Sequence, residues 1–128
     1  MGREVQSPFG AASEDEPAVT VSYVIKPRAD RDLDEYADYL ANKANLDVAQ
    51  RFLSSAQETF GLLATHPNMG WHSRLRNAAL KSLRVFRVNG FEHMLILYRP
   101  LPSAVDILRV VHGSRNLQAL FRRREEIE

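Results

Sequence analysis

The sequence predicts an α+β sandwich: a helical hairpin packed on one face of a small, mostly antiparallel sheet, in the order β-α-α-β-β-β-α. Three observations predict it. Residues 19–25 alternate apolar and small polar side chains, residues 27–65 carry two apolar stripes at helical spacing, and residues 83–111 hold three β-type runs joined by short turns. A helix pair and a sheet, each apolar on one side, are stable only when those sides meet.

Residues 1–18 are rich in Ser, Ala, Gly and acid and show no hydrophobic period, so they read as a flexible acidic tail before a single domain over 19–128. Val19–Ile25 (VTVSYVI) is the first strand. Pro27 suits the first position of a helix, where its missing N–H costs nothing, and Asp30, Asp32, Asp34 and Glu35 crowd the first turns, where the helix dipole favours anions. These carboxylates are expected to form a solvated face. Leu33, Tyr36, Ala37 and Leu40 give the helix its apolar stripe.

Asn42–Asn45 breaks the helical pattern, and Asn45 is placed to cap a second helix from Leu46 to Thr65, with Ala49, Phe52, Leu53, Ala56, Phe60, Leu63 and Ala64 on its inner face. His66-Pro67 ends it, because the residue before a proline avoids the helical region. Trp71–Lys81 has no clear period and is expected to be a loop. The strands Leu83–Val88, His93–Arg99 and Val105–Val111 follow, joined by Asn89-Gly90 and Pro100-Leu101-Pro102-Ser103. Asn116–Glu126 has helical spacing at Leu117, Leu120 and Phe121.

Composition narrows the chemistry. The chain has no Cys, so thiolates and disulfides play no part. No apolar run reaches the ~18 residues that would span a bilayer, and the N-terminus lacks the apolar core of a signal peptide, so a cytoplasmic protein is expected. Net charge is +1, yet residues 67–128 carry eleven basic groups against five acidic ones, while residues 1–66 are net acidic. Such a basic half is either a solvated face or the complement of an acidic partner. Fourteen of the seventeen basic groups are Arg, which favours planar, paired contacts to phosphate or carboxylate.

No nucleophile elbow, HExxH or Walker A motif is present, and the four His residues lack metal-pair spacing, so neither a metal nor a cofactor is expected. Metal-free RNA cleavage remains open. It needs a base, an acid and cations for the phosphate; His112 could supply the first or second, and Arg84, Arg87, Arg99, Arg109 or Arg115 the last. Alternation places Arg84 and Arg87 on opposite faces of their strand unless a bulge intervenes. The alternative for His112 is a packed histidine whose ring satisfies the backbone.

The segments LRVFRVNGFEHMLILYR and DILRVVHGSRNLQALF, with KPRADRDLDEYADYL and FGLLATHPNMGW upstream, together resemble ParE-like toxins of the RelE/ParE superfamily of type II toxin–antitoxin systems. The resemblance runs over about residues 19–123. It implies a small toxin fold and neutralisation by a cognate antitoxin in a toxin–antitoxin hetero-oligomer. It also implies one of two targets: DNA gyrase, inhibited by protein–protein binding, or the ribosome and its mRNA, cleaved in the RelE-like manner by His112 and Arg115. RelE-like nucleases carry a basic residue where this chain has Leu95, and commonly a Tyr where it has Phe121. Neither Leu nor Phe can donate to a phosphate or move a proton. The gyrase reading follows, with Arg84, Arg87, Arg115, Arg122, Arg123 and Arg124 as expected target contacts.

Overall fold

The computed structural model describes residues 3–6, 22–73 and 82–114. Its elements are β1 (Arg3–Gln6), β2 (Ser22–Ile25), α1 (Pro27–Lys43), α2 (Leu46–Thr65), β3 (Trp71–His72), β4 (Arg84–Val88), β5 (Phe91–Pro100) and β6 (Ala104–His112). They form a six-stranded sheet in the order β1-β2-β6-β5-β4-β3, with the helical hairpin on one face. All neighbours run antiparallel except β2 and β6.

α2 has the predicted bounds, while α1 runs through Lys43, two residues into the expected break at Asn42–Asn45. Asn45 caps α2, its side chain accepting a hydrogen bond from the Val48 N–H at 2.9 Å. Both helices lay their stripes on the sheet, where Tyr23, Leu33, Phe52, Phe60, Ile96, Tyr98, Ile107 and Val110 form one buried cluster. Ring edges lock it: Tyr23 meets Phe60 at 5.5 Å, and Phe52 meets Phe91 at 5.3 Å. Thr59, fully buried on α2, accepts from the Asn89 N–H at 3.1 Å and so ties the β4–β5 turn to the helix. In that turn Gly90 has φ +78°, the left-handed region that the Asn-Gly pair was read to provide.

The opposite sheet face carries a second buried cluster of Leu83, Val85, Leu97, Leu108 and Val111, with Leu95 packed against it. Two strands depart from the sequence expectation. Residues 3–6 lie within the segment read as a tail, yet pair with β2; the reason is non-local, because β2 would otherwise leave an open edge. Trp71–His72, read as loop, pairs with Val85 and Arg84 over two residues, too few to show alternation. The remainder of the expected tail, the rest of the 74–81 loop and the expected terminal helix lie outside the described residues.

Candidate functional site

The strand register decides which candidate residues meet. Arg84 stands in a row with His72 on β3 and Tyr98 on β5, on the helix side. Arg87 stands in a row with Leu95 and Val111, on the other face. The bulge in β4 falls between Arg87 and Val88, after both arginines, so the two point apart as alternation requires.

Arg84 is occupied structurally. Its Nη1 donates to the carbonyls of Gly70 at 2.6 Å and Asn68 at 3.3 Å, and its Nη2 lies 3.5 Å from His72 Nε2. The Tyr98 hydroxyl completes this corner, donating to the Pro67 carbonyl at 2.7 Å and accepting from the Gly70 N–H at 2.9 Å. Burial raises the Tyr98 pKa, an effect partly offset by the Gly70 N–H and the Arg84 charge. Glycine is required here: a Cβ at position 70 would lie 2.5 Å from the Tyr98 oxygen and 2.7 Å from the Val85 carbonyl.

Arg87 is exposed and lies 5.0 Å over the ring of Trp71, itself 41% exposed. This cation–π pair sits at the sheet margin on the face away from the helices, near exposed Met69. Trp, Arg and Met are the residues that dominate protein contact surfaces. Sequence reading singled out Arg87 by charge but missed Trp71, whose position opposite Val85 depends on the two-residue strand β3.

His112 ends β6 opposite Met94, four residues along β5 from the row of Arg84, about 13 Å at strand rise. It is exposed, which corrects the packed-histidine alternative. Its Nδ1 accepts from the Ser114 N–H at 3.1 Å and lies 2.8 Å from the Ser114 hydroxyl, so the neutral ring carries its proton on Nε2. The ring stacks on His93 at 5.8 Å and 9°. Arg109, expected as a phosphate ligand, is fully buried and bound to Asp32. Asp32 is likewise no part of a solvated acidic face: it is 6% exposed, and falls among Ala29, Leu33 and Tyr36 on the inner stripe of α1.

A groove of about 400 Å³ opens between α1 and the end of β6, with Arg28, Glu35, Tyr36, Tyr39, Met94 and His112 among its walls. Tyr36 and Tyr39 stack at 5.5 Å across one side. Burial, with a smaller contribution from neighbouring Tyr39, raises the Tyr36 pKa. Among the described residues no group of three or more His, Cys, Asp or Glu is placed to hold a metal ion. Nor is any described helix long and apolar enough to cross a membrane. Arg115, Arg122, Arg123 and Arg124 lie outside the described residues.

Helical hairpin and mixed sheet define a small α+β domain. Residues 23–117 match the model of the ParE toxin of type II toxin–antitoxin system, parDE. The chain therefore belongs to the ParE toxin family. A solved structure described as the chromosomal ParDE TA system from P. aeruginosa shares the fold, with a TM-score of 0.57 at 17% identity, covering 69% of this chain and 90% of that one. No curated protein matches the chain in sequence.

Proposed function

We propose that this ParE-family toxin inhibits DNA gyrase by protein–protein binding in the cytoplasm, without catalysing a reaction itself, and is neutralised by a cognate antitoxin. The observation that carries the reading is Leu95. It packs into the apolar cluster on the sheet face away from the helices, between Arg87 and Val111, where RelE-like nucleases place a basic residue. An aliphatic side chain there can neither bind a scissile phosphate nor transfer a proton. The exposed Trp71–Arg87 pair is the target contact within the described residues, and Arg115 and Arg122–Arg124 are further target contacts assigned from the sequence. Arg84 acts indirectly, by holding the Asn68–Gly70 corner that carries Trp71. The antitoxin presents an acidic, amphipathic arm that complements the basic half of the chain.

The test is a supercoiling assay with purified toxin, gyrase, ATP and relaxed plasmid. Loss of supercoiling with accumulation of cleaved plasmid, reversed by antitoxin, is expected. No effect at large molar excess refutes the reading and moves the target to the ribosome and its mRNA. For that second reading, the exposed His112, whose Nδ1 is engaged by Ser114, is the supporting feature, and transcript cleavage after induction is its readout.

A further inference from the structure

One strand pairing lies outside the family match. β1 runs antiparallel on β2, with Arg3 opposite Ile25 and Gln6 opposite Ser22, whereas the match begins at residue 23. The inner edge of β2 is bonded to β6, so among the described residues β1 alone covers its outer edge. Without it, that edge would offer the unpaired N–H and C=O groups on which extended peptides add as a further strand.

β1 is also weakly tethered. Fifteen residues, 7–21, join it to β2, whereas hairpin loops commonly use about 2–5. Closing a longer connection costs more entropy. A four-residue edge strand held in this way opens more readily than the long β5–β6 ladder beside it.

We propose that the outer edge of β2 is a strand-accepting site whose resident occupant is β1. β1 guards the edge in cis and must leave before any other extended segment can pair there antiparallel to β2. Residues ahead of the family-matched region thereby set the threshold for strand addition. Backbone pairing alone sustains this site, whatever the toxin's target.

The test uses the full chain. Successive N–H groups of a strand point to opposite edges, so one of Glu4 and Val5 directs its N–H at β2 and the other directs it outward. Of the variants Glu4→Pro and Val5→Pro, one is therefore tolerated and the other releases β1. In the releasing variant, amide exchange at Ser22–Ile25 rises by about tenfold or more, while protection in α1 and α2 is unchanged. A synthetic peptide of residues 1–8, added at about 1 mM to match a tethered segment, restores that protection. The same peptide carrying the releasing proline does not. If the released variant dimerises through the bared edge, the peptide dissolves the dimer. Unchanged exchange at β2 in both variants, no rescue by the peptide, or a dimer indifferent to it overturns the proposal.

Discussion

Asp32→Ala should be among the most damaging single substitutions on the helix side of the sheet, and its cost follows from the contacts. Asp32 Oδ2 accepts from Arg109 Nε at 2.8 Å and from the Val110 N–H at 3.0 Å, while Oδ1 accepts from Arg109 Nη2 at 3.2 Å. Arg28 adds a partly exposed ion pair at 3.3 Å, screened and worth less than about 1 kcal/mol. The carboxylate thus fixes α1 to the central strand β6 and neutralises a fully buried guanidinium. Removing one partner of such a pair costs about 3–5 kcal/mol, because the other charge stays buried without it. For a chain of this size, with a urea slope of about 1.5 kcal/mol per M, the unfolding midpoint should fall by about 2–3 M. Urea unfolding followed by far-ultraviolet circular dichroism and Trp71 fluorescence measures it. Replacing both partners, Asp32→Leu with Arg109→Met, should recover the midpoint to within about 1 M of the parent, since apolar groups of similar volume substitute for buried pairs at little cost. A single variant that loses less than about 0.5 M, or a double variant below the single, would refute the assignment of a buried, coupled pair.

Tyr98→Phe removes both hydrogen bonds at the Pro67–Gly70 corner and should cost about 1–3 kcal/mol in the same assay. Because burial raises the Tyr98 pKa above 10.0, the unfolded chain releases this proton first. The stability it contributes is therefore present below about pH 10 and declines as pH rises through the folded-state pKa, a slope that Tyr98→Phe should flatten. Gly70→Ala forces a methyl onto the Tyr98 oxygen and the Val85 carbonyl, and should destabilise the fold by about 1–3 kcal/mol, read in the same urea assay. Trp71→Ala and Arg87→Ala should each weaken gyrase inhibition by about tenfold with an unchanged circular dichroism spectrum; full inhibition by both would remove this surface from the target contact. His112→Ala should change stability by less than about 0.5 kcal/mol, since the ring is exposed. Its toxicity should persist, whereas a loss by orders of magnitude would favour mRNA cleavage.

Local signals were legible and distant pairings were not. The Asn45 cap, the helical hairpin, the Asn89-Gly90 turn and the three-strand meander are each written in a few neighbouring residues, and the structure reproduces them. β1 and β3 are short edge strands whose existence depends on partners far along the chain. Asp32 was read as one carboxylate of an acidic turn, although its spacing from Ala29 and Tyr36 puts it on the inner stripe. Arg109, embedded in the apolar run Ile107–Val111, carried the matching signal: a cation in a buried strand demands an anion. Taken together, the two positions announced the pair. Charge also misjudged Arg84, whose guanidinium is consumed by backbone carbonyls, and gave no hint of the exposed Trp71 beside Arg87.

The parallel pairing of β2 with β6 has a consequence for how the chain is born. Ser22 and its partner Ala104 are 82 positions apart, so β2 leaves the ribosome well before the central strand it pairs with. At about 5–20 residues per second, β2 waits about 4–16 s for it and the completed helical hairpin about 2–8 s. During that interval α1 lacks its Arg109 anchor and the apolar face of the hairpin has no sheet beneath it. A nascent toxin of this design keeps its sheet unassembled until β6 has been translated, so products truncated before it carry the cost of synthesis without the finished surface.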